Sequence, residues 1–159
     1  GHLVFSTLHT NDAPSAVTRM TDIGVPGYLV ASSVIAVLAQ RLVRTICPKC
    51  KQPYTPREAE LREAGITDEE AKNAEFAKGK GCANCQQSGF RGRLGVYELM
   101  IMTSRIRELS FAGASSQDIR RGALKDGMKT LYMDGMDKVM RGITTMSEVY
   151  RVAKKTEQD

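Results

Sequence analysis

Tryptophan is absent and aromatic side chains make up only 6% of the 159 residues, so any core must be assembled from Val, Leu, Ile, Ala and Met rather than large rings. No apolar run reaches the roughly 18 residues that a membrane-spanning helix requires. The longest, Tyr28 to Ala39, is shorter and is interrupted by Ser32 and Ser33. The pattern G-x-x-x-x-G-K-[ST] occurs nowhere, which leaves the chain without the loop that cradles nucleotide phosphates in that motif. Internal repeats and low-complexity tracts are missing too, apart from the charged tail Lys154 to Asp159, which is expected to fray.

What is present fits a globular protein. Hydrophobic residues reach 42% and charged residues 26%, enough for one ordinary domain or two small modules in series. A net charge of +5 permits phosphates, nucleic acid or an anionic membrane face as partners, without choosing among them. Acidic residues gather between Glu58 and Glu75, so the remainder is more basic than the total. The chain opens inside an apolar run with no initiator Met, the mark expected of an excised segment, and the lack of a leader says nothing about compartment.

The fold class read from the pattern is α/β. Leu3-Val4-Phe5, within His2 to Leu8, predicts a central parallel strand. Thr10-Asn11-Asp12 and Pro14 announce a helix over about Ala13 to Asp22, ended by Gly24-Val25-Pro26-Gly27. A second helix, apolar nearly all round and so expected to be buried, is predicted from Tyr28 to Ala39, followed by a strand over Arg41 to Ile46. Residues 47–93 shift to Lys, Glu, Pro and Gly, framed by cysteines and enclosing a helical pair. One helix runs from Pro56 to Ala64 before Gly65, and the other opens on the capping box Thr67-Asp68-Glu69-Glu70. From residue 94 a strand (Leu94 to Met100) leads into amphipathic helices, with starts at Ser115, Thr130 and Thr145 and stops at Gly127 and Gly142. Met128, Met133, Met136, Met140 and Met146 recur at helical spacing, which favours core packing over a docking surface. The organisation read is therefore three segments, 1–46, 47–93 and 94–159.

Cys47-Pro48-Lys49-Cys50 and Cys82-Ala83-Asn84-Cys85 are two Cys-x-x-Cys knuckles with 31 residues between them. Two intervening residues let both sulfurs converge on one ion, and two knuckles complete the tetrahedron that structural Zn²⁺ prefers. Such a site would also supply folding free energy that a segment this polar cannot gain by burial. Two disulfides would suit an oxidising compartment, which nothing else here indicates. A redox Cys-x-x-Cys explains one pair only. Four protein ligands make the expected site closed and structural.

Thr7, His9, Thr10 and Asn11 sit just beyond the first apolar run, where ligands lie in open α/β sheets. His9 has the chemistry to donate to a phosphate oxygen. On composition alone, a loop histidine beside a helix cap is the plainer reading.

Taken together, three blocks resemble the secretion ATPases of type II secretion and type IV pilus assembly. These are Gly1-His2-Leu3-Val4-Phe5-Ser6-Thr7-Leu8-His9-Thr10-Asn11-Asp12-Ala13, similar to the family's histidine box, then Gln40-Arg41-Leu42-Val43-Arg44-Thr45-Ile46-Cys47-Pro48-Lys49-Cys50, and Gly89-Phe90-Arg91-Gly92-Arg93-Leu94-Gly95-Val96-Tyr97-Glu98-Leu99. The tetracysteine marks the secretion and pilus-extension members. The likeness covers essentially the whole chain and is poorest from Glu58 to Phe76. It implies the C-terminal part of a RecA-like P-loop ATPase domain, carrying an inserted tetracysteine zinc module and a C-terminal helical bundle. It also implies a homo-hexamer, ATP and Mg²⁺ in the intact protein, inner-membrane platform proteins as partners, and a cytoplasmic location at the inner membrane's edge. Of the family's functional residues, His2, His9 and Thr7 match catalytic positions, and His9, Thr10 and Arg41 nucleotide-contacting ones. Without a P-loop, and without the acidic Mg²⁺-binding segments the family carries upstream, this chain alone is expected neither to hydrolyse ATP nor to bind it tightly.

Two other classes fit parts of the sequence. Lys49, Lys51, Lys78, Lys80, Arg91 and Arg93 around the knuckles fit a nucleic-acid-binding zinc ribbon, but Tyr54, Phe76 and Phe90 are too scattered to form a stacking platform, so no nucleic acid is expected. A docking scaffold without chemistry is the third. Arg91 and Arg93 are read as covering the zinc module, and Glu98 as a surface or strand-pairing charge.

Overall fold

The computed structural model describes residues 2–156. Gly1 of the histidine block and the last three residues of the charged tail lie outside the described residues. The element order is α1 (Ala13–Asp22), α2 (Gly27–Ser33), β1 (Ala36–Ile46), β2 (Lys51–Pro53), α3 (Glu58–Ala64), α4 (Asp68–Lys72), β3 (Ala77–Gly79), a 3₁₀ turn (Ala83–Cys85), β4 (Phe90–Ile101), α5 (Ser104–Phe111), α6 (Ser116–Lys125), α7 (Leu131–Met140) and α8 (Met146–Val152). The architecture is mixed α/β, with two two-stranded sheets, β1–β4 and β2–β3.

The caps explain why the helices start where they do. Asp12 accepts the N–H of Ser15 at 2.8 Å with Pro14 in the first turn of α1. Thr67, Ser115 and Thr130 likewise accept from the amide three residues on, satisfying donors that a helix start leaves free. Gly65, with φ 73°, closes α3 in the left-handed conformation that glycine adopts without strain.

The chain divides into two compact units. One gathers the described residues up to Ala39 with Glu98–Lys129. Its core packs Val17 of α1, Val30 of α2, Met100 and Met102, Ile106 of α5 and Ile119 of α6, all at most 3% exposed. The other gathers Gln40–Tyr97 and the described residues from Thr130 onward. Val43, Val96 and Val149 are fully buried in it, and Leu131, Met136 and Val139 are buried too. An ideal Cβ built on Gly135 of α7 would lie 2.7 Å from Val149 Cγ1, so the missing side chain is what lets α8 approach this closely. Met128 and Met136 are core residues, as their spacing predicts.

Three expectations need correction. His2 to Leu8 forms no strand: no partner strand pairs with it among the described residues, and an extended segment without ladder hydrogen bonds stays irregular. Leu3, Val4 and Phe5 are 67%, 78% and 89% exposed. The helix predicted to run to Ala39 stops at Ser33, and Ala36–Ala39 begins β1 instead. A short apolar run reads equally as helix or strand, and here the β-branched Val34 ends α2 in an extended conformation, Val37 lies in the strand, and Met102 donates its N–H to Ile35 O at 3.0 Å just before it. Nor is this stretch buried throughout: Tyr28, Leu29, Ile35 and Leu38 are exposed.

Candidate functional site

The register of β2 on β3, Lys51↔Gly79, Gln52↔Lys78 and Pro53↔Ala77, is what joins the two cysteine knuckles. Antiparallel pairing folds residues 54–76, with α3 and α4, into one long loop and leaves Cys50 and Lys80 facing each other across the open end. There the Lys80 N–H donates to Cys50 O at 3.0 Å. Cys47 is tied in turn by its N–H to Gly89 O at 2.9 Å. An ideal Cβ on Gly89 (φ 77°) would stand 2.7 Å from Gly79 O, so glycine is required where the second knuckle turns back over β3.

The four sulfurs lie within 4.8 Å of one another. Cys47 Sγ is 4.0 Å from Cys82 Sγ, Cys50 Sγ is 3.8 Å from Cys85 Sγ, and Cys82 Sγ is 3.7 Å from Cys85 Sγ. A disulfide needs about 2.05 Å, so these are four free thiols. A regular tetrahedron with Zn–S bonds of about 2.3 Å has edges of about 3.8 Å, the spacing these sulfurs show. The donor set is therefore one that a metal ion fits.

Hydrogen-bond donors converge on the sulfurs as thiolates need. The N–H groups of Cys82 and Gly89 each reach Cys85 Sγ at 3.3 Å. Burial pushes the Cys85 thiol up, but those two amides, with the neighbouring thiols, outweigh it and hold the group at about 6. The Asn84 side-chain amide donates to Cys47 Sγ at 3.3 Å and is the main cause of that thiol's lowered pKa. Arg91 in turn donates to Asn84 O at 2.9 Å and also bonds its side-chain oxygen. Cys50 has the opposite balance: burial pushes it up to about 11. Thiols that ionise this unequally are what a cation would level by binding all four as thiolates.

The other sequence-predicted residues are placed differently. His2, Thr7 and His9 lie along the exposed segment before α1. Thr10 is half-buried, its hydroxyl donating to Asp12 O at 3.2 Å. Arg41 is on β1, in the second unit, with a long 3.4 Å contact from Nη1 to Gln40 O. The structure thus brings the four cysteines together, while the histidines stay on an irregular stretch.

Two carboxylates differ from what the sequence suggests: Glu98 reads as a surface or strand-pairing charge and Glu148 as part of a capping box at Thr145, yet α8 has no side-chain cap and both are buried. Glu98 is 1% exposed, not a surface charge, and its Oε1 accepts the Ala13 N–H at 2.7 Å. The signal was the strand period: Val96, Glu98 and Met100 share one face of β4, and all three are buried. Glu148, 2% exposed on α8, accepts from Arg44 and Arg151.

A sheet-borne module closed by four converging thiols is a place that could hold a metal ion. The chain belongs to the family described as "Type II/IV secretion system protein", whose model matches residues 1–151. It is 43% identical over 149 residues to the type IV pilus assembly ATPase PilB of Thermus thermophilus, covering 94% of this chain and 17% of that protein. To the type II secretion system protein E of Pseudomonas aeruginosa it is 44% identical over 154 residues, covering 97% of this chain and 30% of that protein. To the type II secretion system ATPase E of Vibrio cholerae it is 42% identical over 157 residues, covering 98% and 30% respectively. The chain therefore spans less than a third of each of these relatives. Among the described residues no helix is long and apolar enough to cross a membrane.

Proposed function

We propose that this chain is the C-terminal part of a hexameric motor ATPase that drives pilus assembly or type II secretion. The carrying observation is the identity above 40% along nearly the whole chain to relatives named as ATPases of those two systems. On this reading the first 46 residues complete a RecA-like P-loop domain, residues 47–93 form a zinc-binding module, and the remainder is a helical subdomain. The nucleotide loop lies elsewhere in the intact protein, which works at the inner membrane on the cytoplasmic side against platform proteins. The isolated chain neither turns over ATP nor binds it tightly.

Cys47, Cys50, Cys82 and Cys85 hold Zn²⁺, which contributes folding free energy and no reaction chemistry. The exposed apolar side chains of Leu3, Val4 and Phe5 are covered by the rest of the intact protein, with His9 just beyond them in the chain. His9, with Thr7 and His2 nearby in sequence, donates a hydrogen bond toward the terminal phosphate, and Thr10 and Arg41 contribute to nucleotide contact. ATP supplies the phosphoanhydride whose cleavage drives the motor, with Mg²⁺ offsetting its charge.

Steady-state ATP turnover of the full-length protein tests the assignment. His9→Ala is expected to lower kcat by an order of magnitude or more, the scale of losing one transition-state donor. Unchanged turnover would end the role given to His9.

A further inference from the structure

The start of α1 is held by three side chains from three parts of the first unit. Asp12 caps it through Ser15. Glu98, from β4, takes the Ala13 N–H, a second donor that a helix start leaves free. Arg120, from α6, reaches both carboxylates: Nη2 lies 3.0 Å from Asp12 Oδ2, and Nη1 lies 3.9 Å from Glu98 Oε2. Glu98 is 1% exposed, and a buried carboxylate persists only where a cation and donors compensate it. The arrangement is demanding, because one guanidinium serves two carboxylates and both carboxylates grip the same helical turn.

The turn's capping residue, Asp12, stands three residues after His9, and Thr10 is already drawn onto it through its bond to Asp12 O. Whatever fixes Asp12 and Ala13 therefore fixes the base of the otherwise irregular histidine segment. We infer that Glu98 and Arg120 are positioning residues for His9: they set the first turn of α1 against β4 and α6, so that a shift of α6 moves the histidine segment. This rests on the role proposed for His9. Asp12 and Glu98 each satisfy a free donor of the helix start, and neither of those bonds requires Arg120. The additional bridge from α6 is what ties this turn to a distant element.

The test is a double-mutant cycle on ATP turnover by the full-length protein, with Glu98→Gln, Asp12→Asn and His9→Ala singly and in pairs. Glu98→Gln can still accept the Ala13 N–H but loses the charge facing Arg120. Asp12→Asn keeps a good cap and loses its own ion pair, so it carries the test if the buried substitution impairs folding. Each is expected to lower kcat about tenfold with KM changed less than threefold, and to have less than a twofold further effect in the His9→Ala background, because both act through His9. Full turnover in Glu98→Gln and Asp12→Asn, while His9→Ala is slow, overturns the inference alone. Equal fold-losses with and without His9 also overturn it, assigning the carboxylates a structural role only. Full turnover in His9→Ala removes the reading of His9, and this inference with it.

Discussion

Glu148 accepts two hydrogen bonds from Arg44: the backbone N–H at 2.9 Å and the guanidinium Nη2 at 2.8 Å. The same carboxylate takes Arg151 Nη2 at 3.1 Å, and Arg44 lies over the Phe90 ring at 4.4 Å. A residue of the last helix thus holds the strand that leads directly into the first cysteine knuckle; the Glu148 side chain is 3% exposed, while that of Arg44 is half in solvent.

The pH dependence of stability follows from this contact. Burial pushes the Glu148 carboxyl up, but Arg44 and Arg151 outweigh it and hold it at about 2. Its folded pKa is below its unfolded one, so the folded state binds the proton less readily. The stabilisation is complete above about pH 4.5 and is lost as pH falls toward 2, amounting to at most about 3 kcal/mol because Arg44 and Arg151 are half exposed and screened by solvent. Denaturant unfolding between pH 7 and pH 2.5 is expected to show a larger loss for the wild type than for Glu148→Gln. Equal losses in the two proteins would remove Glu148 as a cause.

Gly135→Ala inverts the usual helix rule. Alanine is the better helix former by about 1 kcal/mol, yet its Cβ would meet Val149 at 2.7 Å. Overpacking of this kind costs about 1–3 kcal/mol, so the substitution is expected to lower the thermal midpoint. Val149→Ala in the same chain should restore part of it, as measured by calorimetry. A Gly135→Ala protein more stable than the wild type would contradict the close packing of α7 on α8.

Asn84 contacts the four-thiol site through Cys47 Sγ and is not itself one of the four candidate ligands. Losing its donor to Cys47 Sγ in Asn84→Ala is expected to weaken zinc about 10- to 100-fold, the usual cost of removing a partner of a ligand. Competition against a chromophoric chelator measures it. An unchanged affinity would make the Asn84 contact incidental.

How much of this was legible in the residues differs by element, for physical reasons. The cysteine spacing predicted convergence because two short knuckles leave few other arrangements, and the ladder from Lys51 to Gly79 supplies the geometry. The caps at Asp12, Thr67, Ser115 and Thr130 were readable because they act within four residues. Where the outcome depended on a distant partner, the local pattern misled. Ala36–Ala39 became strand because β4 is there to pair with it. His2 to Leu8 has the composition of a strand but no pairing partner among the described residues. The polarity of Glu98 suggests the surface, whereas its place in the strand period puts it inside, and the compensating Arg120 lies on another element.

Metal analysis of the purified chain tests the central claim most directly. One zinc per chain, released together with the β2–β3 module's circular dichroism signal by a strong chelator and absent from Cys47→Ser, is the predicted result. A metal-free chain that keeps that signal under reducing conditions, or cysteines recovered as two disulfides, would contradict it.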